Sequence, residues 1–219
     1  MRLPWKVAGG LSIGYVVLEL VSVSIGSTVP ELGASRAEVV ADFTTGSATK
    51  MYAATYVTVL ALLVFASVAA FLVQALRHVD ASSWAATTAF AAAIVYVTTN
   101  GLDPAMLAAL VHGGHNGADA GSLMLLNYVR NFTLDVGFLA LGGFVVTVSI
   151  ALLRARVMPP WIAYAGLVSG VLLFVPVAFG PAFLLSMVWM VALGIVMVSR
   201  RRDPVTTAPV VAPTVSAGV

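Results

Sequence analysis

Six apolar stretches, each about as long as a membrane is thick, constrain the fold of this chain most strongly. They lie near residues 7–28, 51–76, 82–100, 133–153, 160–179 and 182–199. A helix rises about 1.5 Å per residue, so each stretch can cross a hydrocarbon core of roughly 30 Å. With 60% hydrophobic and 9% charged residues and a mean hydropathy of +1.02, the chain is not an ordinary water-soluble domain. We predict an all-α, polytopic six-helix transmembrane bundle forming one domain over 1–200, followed by a flexible cytoplasmic tail at 201–219.

The placement of positive charge predicts the orientation of this bundle. Six spans put both termini on one side, and Lys and Arg divide eight to three between the two faces. The positive-inside rule therefore predicts cytoplasmic termini and a multi-pass protein of the cell membrane, the inner membrane where there are two. Trp5, Trp84 and Trp161 fall at the same interface, where indole rings are enriched. The N-terminus also resembles a signal peptide, but Glu19 within its apolar stretch argues against cleavage. The eight are Arg2, Lys6, Arg77, Arg154, Arg156, Arg200, Arg201 and Arg202, against Arg36, Lys50 and Arg130.

Local signals predict a short helical cap on the outer side. Ser35 and Glu38 have the spacing of a capping box, and the apolar positions after them favour an amphipathic helix on the membrane surface. Asp103-Pro104 after Gly101 is typical of a helix start, so we expect the third span to break there and residues 104–111 to form a separate short helix. The fourth span should begin near Ser122 and project beyond the membrane until about residue 133.

The first and fifth spans begin alike, with "PWKVAGGLSIG" at 4–14 and "PWIAYAGLVSG" at 160–170. One interpretation is a parallel internal repeat. The other is that Pro-Trp suits any span starting at an interface, and that Gly10, Gly14, Gly166 and Gly170 are small-residue helix contacts.

The segment 123–143 carries four polar residues into an apolar region. Asn127, Asn131 and Asp135 recur every four residues and share a helix face, whereas Arg130 and Asp135 are about 140° apart around the helix and cannot pair. Arg130 is either a snorkelling interfacial arginine or the partner of Glu19, Asp103 or a lipid phosphate.

Glu19 is the ionisable residue that neither a boundary nor a cap explains. It lies about 18 Å along its span, where its carboxyl is either protonated and structural or part of a functional site. Under the functional interpretation it titrates in a pocket that opens outward. The candidate pocket residues are Tyr15, Glu19, Tyr52, Tyr56, Asn100, Asp103, Asn127, Arg130, Asn131 and Asp135.

Metal and cofactor signals are weak. His112, His115 and Asp119 could bind a divalent ion, but a loop containing Gly-Gly fixes no geometry, and solvated histidines are the favoured interpretation. The chain has no cysteine, no H-E-x-x-H, P-loop, G-x-S-x-G or dinucleotide fingerprint, and no mid-membrane lysine for retinal. We expect no metal and no cofactor.

One segment carries a family resemblance. "ASRAEVVADFTTGSATKMYAATYVTVLALLVFASVAAFLVQALR" at 34–77 resembles the acidic amphipathic segment and second helix of small multi-helix membrane proteins of high-GC bacteria that carry a domain of unknown function. The resemblance extends through about residue 178. It implies the fold and the membrane location, and it transfers no functional residue.

Three functions remain open from the sequence. The first is a carrier or binding protein for a small cationic or amphipathic molecule, with Glu19 as titrating group. The second is an intramembrane acid-base enzyme acting on a lipidic or isoprenoid substrate. The third is an accessory or sensing subunit whose buried polar groups specify helix pairing. Expected partners are membrane lipids, an amphipathic ligand, and a second copy or another membrane subunit; nucleic acid is not expected.

Overall fold

A computed structural model describes residues 5–26, 30, 32–79 and 84–199, and these are all-helical with no strand. Seven α-helices follow in order, with a 3₁₀ turn at Pro176–Ala178 before the last. The predicted tail, Arg2, Arg200, Arg201 and Arg202 lie outside the described residues. The helices are α1 Trp5–Ile25, α2 Arg36–Thr45, α3 Ala48–Val79, α4 Trp84–His115, α5 Ala120–Ala155, α6 Pro160–Leu172 and α7 Phe179–Ser199.

Six of these helices pack as a closed ring. Each contacts its neighbour in the order α1, α3, α4, α5, α6, α7, and α7 returns to contact α1. Phe65 of α3 lies at the centre, with its ring centroid 4.7 Å from that of Tyr96 and 5.2 Å from those of Tyr15 and Phe144. These tilted and edge-to-face ring contacts join α1, α3, α4 and α5 in one core.

Interhelical hydrogen bonds join α7 to α1 and to α6, which closes the ring. Ser12 Oγ of α1 donates to the Met190 carbonyl of α7 at 2.8 Å, and Trp189 Nε1 of α7 donates to the Ile162 carbonyl of α6 at 2.8 Å. Both contacts are buried, and polar side chains commonly join helices in this way inside membranes.

Glycines let the helices approach closely at two seams. A Cβ on Gly9 would lie 2.6 Å from the Gly194 carbonyl oxygen, and one on Gly142 would lie 2.9 Å from that of Gly170. A Cβ on Gly166 would meet the side chains of Ser149 and Trp189, so the small-residue helix contact predicted for α6 is present. Gly10 and Gly14 face open space, and the contact predicted for them is wrong: the crowded glycine of α1 is Gly9.

The predicted amphipathic helix is confirmed as α2. The Ser35 side chain accepts from the Glu38 N–H at 3.3 Å, and Glu38 Oε2 accepts from the Ser35 N–H at 2.7 Å, which completes the capping box. These bonds hold the pKa of the Glu38 carboxyl below its ordinary value. The apolar side chains Val39 and Phe43 are buried against α4 and α5, so α2 is part of the packed bundle.

The predicted helix break at Gly101–Pro104 is wrong. α4 runs without interruption from Trp84 to His115, with Pro104 in its interior, and residues 104–111 form no separate helix. Asp103 pairs with Arg130 and does not cap a helix. Packing explains the difference, because Pro104, Leu107 and Leu110 are buried and tertiary contacts override local propensity. By contrast, α5 begins at Ala120, close to the predicted Ser122.

Within the part of the chain that the structure describes, five helices are long and apolar enough to cross a membrane: α1, α3, α4, α5 and α7. α6 ends at Leu172 after 13 residues, or about 20 Å, and not near 179 as predicted. Pro176 explains the early end, because it has no N–H to continue a helix and the preceding Val175 is extended. A multi-pass membrane protein follows from these helices, and the sixth span stays a prediction.

Candidate functional site

A cavity of about 370 Å³ lies between the helices at one end of the ring. Its walls come from the last turns of α1, the first turns of α3, the middle of α4, the part of α5 from Arg130 to Phe138 and the start of α7. This end also carries α2, and Met51 and Leu107 belong both to the cavity wall and to the apolar cluster under α2. The cap is therefore continuous with the cavity.

Helical spacing explains which side chains reach the cavity. On α4 the lining residues Tyr96, Asn100, Asp103 and Leu107 follow one another at four, three and four positions, which places them on one face. On α1 the lining residues Ser22 and Val23 follow Glu19 by three and four positions, and Gly26 comes directly after the helix, seven positions on, so all of them share one face. α1, α3, α4 and α5 thus each present one stripe to the cavity, and α7 contributes Phe183.

Glu19 lies in the cavity wall one and a half turns before α1 ends. Its side chain is partly exposed, and no lysine, arginine or histidine among the described residues lies within 4.0 Å of it. No hydrogen bond joins its carboxyl to any other described residue. The Glu19 carboxyl therefore faces the cavity without a protein partner in this part of the chain.

Arg130 and Asp103 form an ion pair across the cavity wall. Arg130 Nε of α5 lies 2.6 Å from Asp103 Oδ1 of α4, and the two side chains are 9% and 13% exposed. Arg130 is the basic residue among the described lining residues, so its charge is already matched by Asp103. The sequence left several possible partners for Arg130. In the structure its partner is Asp103, and not Glu19.

Hydroxyl and aromatic groups complete the wall. Ser22 Oγ lies 2.7 Å from Thr58 Oγ1 and donates to the Ala54 carbonyl at 3.1 Å, which fixes α1 against α3. Tyr96, Phe138 and Phe183 contribute ring surface. The cavity therefore combines one unpaired carboxylate with aromatic and apolar walls.

Asn127 and Asn131 lie beside this cavity and hold the chain between α1 and α2. Both side-chain amides donate to the Pro30 carbonyl at 3.3 Å, and Asn131 also donates to the Asn127 carbonyl at 2.9 Å. The Asn127 side chain is fully buried. Asn127 and Asn131 therefore position the chain at Pro30, and neither of them lines the cavity.

Tyr15 lies behind the cavity wall. It is fully buried, and its hydroxyl is 2.7 Å from the hydroxyl of Tyr96, which does line the cavity. Tyr15 thus supports Tyr96 from the core.

Three further candidates lie away from the cavity. Tyr56 is 72% exposed on the outer face of α3, and Tyr52 packs beside the apolar cluster under α2. Asp135 is partly exposed and makes no ion pair or hydrogen bond with another described residue. The structure brings together Glu19, Asn100, Asp103 and Arg130 from the predicted set.

The histidine segment is mostly helical. His112 and His115 belong to the last turn of α4, and Asn116 donates to the His112 carbonyl at 2.7 Å. Asp119 caps α5 by accepting from Ser122, whose hydroxyl and N–H hold the pKa of the Asp119 carboxyl below its ordinary value. Within the described ranges, no three His, Cys, Asp or Glu residues are grouped to hold a metal ion.

The sequence did not predict several lining residues. Tyr96 could have been found from spacing, since it precedes Asn100 by four positions. Thr58 could not, because only the packing of α1 on α3 brings it to Ser22. Phe183 follows no such pattern, because it reaches the cavity by tertiary packing, with its ring centroid 5.3 Å from that of Phe138 on α5.

Comparison of the chain with protein-family models, with curated proteins and with solved structures found no match. The resemblance of 34–77 to small multi-helix proteins of high-GC bacteria therefore stays a prediction.

Proposed function

We propose that this integral membrane protein binds a small cationic or amphipathic molecule in the cavity and carries it. The observation that supports this most is the Glu19 carboxylate, which lines the cavity while the one basic lining residue of the described chain is paired with Asp103. With all three groups ionised, two negative charges and one positive charge leave the cavity with an excess of one negative charge. A monovalent cation would balance it.

The walls suit an organic cation better than a bare metal ion. Tyr96 and Phe138 contribute aromatic rings to the wall, and aromatic rings attract cations through their quadrupole. Val23 and Leu134 add apolar surface. A metal ion would need several oxygen ligands in fixed geometry, whereas a substituted ammonium needs one carboxylate and a hydrophobic enclosure.

The orientation forms part of the proposal. The cavity lies at the end of the ring that carries Arg36, Lys50 and Arg130, away from Lys6, Arg77, Arg154 and Arg156. The positive-inside rule places the first group outside and the termini in the cytoplasm of a cell-membrane protein. The cavity would then take its ligand from the outer side.

The binding test uses benzyltrimethylammonium titrated calorimetrically into purified protein in detergent. Wild-type protein should bind it saturably at neutral pH, whereas Glu19→Gln should lose the binding because the carboxylate charge is removed while the shape is kept. Asp135→Asn is the matched control, since it removes a carboxylate of α5 that lies outside the cavity lining and should bind like wild type.

Equal binding by wild type and Glu19→Gln would contradict the proposal. If neither binds the cation, and Glu19→Gln instead changes the mass of the complex with another chain, the accessory-subunit function gains support. If the protein converts a co-purified lipid and Glu19→Gln abolishes that conversion, the intramembrane acid-base enzyme gains support.

The topology test uses the absence of native cysteine. Single cysteines in place of Ser47 and Asn116 should react with an impermeant thiol reagent added to intact cells. A cysteine in place of Asp80 should react only after the cells are opened. Labelling at position 80 in intact cells would contradict cytoplasmic termini.

A further inference from the structure

We infer that a groove between α3 and α4 binds one anionic phospholipid, with its phosphate on Arg77 and an acyl chain along the groove. This site is separate from the cavity at Glu19. Two adjoining cavities form it: one of about 500 Å³ that includes Arg77 and Gln74, and one of about 180 Å³ that is almost entirely apolar.

The two cavities are continuous. Ala70 and Phe90 line both of them, so a ligand can extend from one into the other. The narrower part is bounded by Ala66, Ala69 and Ala93, whose small side chains leave the space between the two helices open. From Arg77 back to Ala66 the groove follows α3 for about 16 Å, close to one leaflet of a core of roughly 30 Å.

Charge and position identify the occupant. The Arg77 guanidinium lies over the Phe90 ring, 5.9 Å from its centroid, which holds it above the entrance of the groove. Gln74 adds an amide donor one turn earlier. An arginine at a helix end binds a phosphate oxygen through parallel N–H groups, and the apolar groove that begins there suits an acyl chain. The two other occupants fit less well. A soluble anion would bind Arg77 but leave the apolar groove empty, whereas an apolar helix from another protein would fill the groove but leave the charge of Arg77 without a counterion.

The test is native mass spectrometry of the full chain released from detergent with phosphatidylglycerol or phosphatidylcholine of identical acyl chains. We expect one retained phosphatidylglycerol and weaker retention of phosphatidylcholine. Arg77→Gln should reduce the preference for phosphatidylglycerol about fivefold. Arg154→Gln is the matched control, because Arg154 also lies over an aromatic ring, Trp84 at 5.6 Å, but lines neither cavity.

A second pair of variants tests the acyl chain. Ala70→Trp fills the junction of the cavities and should reduce retention of both lipids, whereas Leu63→Trp, on an exposed part of α3 outside the groove, should not. Ala70→Leu gives a milder filling if the tryptophan variant does not fold. Equal losses in Arg77→Gln and Arg154→Gln would overturn the inference, as would unchanged retention in Ala70→Trp and Ala70→Leu. A dimer that these variants dissociate would assign the groove to a second copy.

Discussion

Arg130 shows how a charged residue is accommodated in the apolar part of this chain. Its guanidinium lies 2.6 Å from Asp103, both side chains are largely buried, and each neutralises the other. A buried pair of this kind costs desolvation when it forms, but removing one partner leaves an uncompensated charge. Because Arg130 and Asp103 neutralise each other, the Glu19 carboxylate is the unpaired charge among the described residues that line the cavity.

We predict that Arg130→Gln lowers the free energy of unfolding by about 3 kcal/mol, because Asp103 loses its buried partner. Unfolding in mixed micelles by added denaturing detergent measures this. The double variant Arg130→Gln with Asp103→Asn should recover much of the loss, since no unpaired charge remains. A double variant as unstable as the sum of its single variants would show that the pair does not act as a unit.

At the level of residues, the sequence predicted four of the side chains that line the cavity. Glu19, Asn100, Asp103 and Arg130 were identified because ionisable and amide groups are rare in apolar helices. Tyr56 was placed on the wrong side of α3, since it is 72% exposed while the neighbouring Thr55 and Thr58 line the cavity. In a membrane both the core and the lipid are apolar, so hydrophobic periodicity does not show which way a helix faces.

α4 is the element where local signals and tertiary structure disagree. Pro104 has no N–H, so the Asn100 carbonyl four residues earlier lacks the helical hydrogen bond it would otherwise accept. Asn100 lines the cavity, and its side-chain amide donates to the Tyr96 carbonyl at 3.0 Å. Membrane helices tolerate a carbonyl freed in this way. Because Asn100 lines the cavity, we expect its carbonyl to offer a ligand an acceptor.

Pro104→Ala should therefore stabilise α4 and weaken cation binding at the same time. Alanine restores the N–H, which bonds the Asn100 carbonyl, and binding of benzyltrimethylammonium should fall about fivefold. Thermal unfolding and calorimetry measure the two effects, with Leu102→Ala on the exposed side of α4 as control. Stronger binding in Pro104→Ala would show that the proline does not serve the cavity.

The remaining elements show what sequence reasoning can predict. The capping box of α2 was predicted from local spacing, because capping depends on residues three positions apart. The start of α5 was predicted from the length of helix that a membrane can hold. The early end of α6 and the continuity of α4 were missed, because one proline ends its helix and the other is held inside by packed neighbours. Proline sequence signals alone do not distinguish these cases.

The whole molecule depends on closure of the ring between α1 and α7. Closure places Gly9 of α1 directly against Gly194 of α7. We predict that Gly9→Val lowers the thermal midpoint in detergent by several degrees, because its side chain would meet the Gly194 carbonyl and Met197. Gly10→Val is the matched control, since a Cβ there meets nothing within 4 Å. Equal midpoints for the two variants would contradict the closed ring.

The most direct test of the proposed binding site is a crystal structure grown with tetramethylarsonium, in which anomalous scattering locates the arsenic atom. The proposal predicts one arsenic peak inside the cavity, within about 6 Å of the Glu19 carboxylate. The peak should be absent from crystals of Glu19→Gln grown in the same way. Arsenic found only outside the cavity, or equally occupied in Glu19→Gln, would contradict a cation site at Glu19.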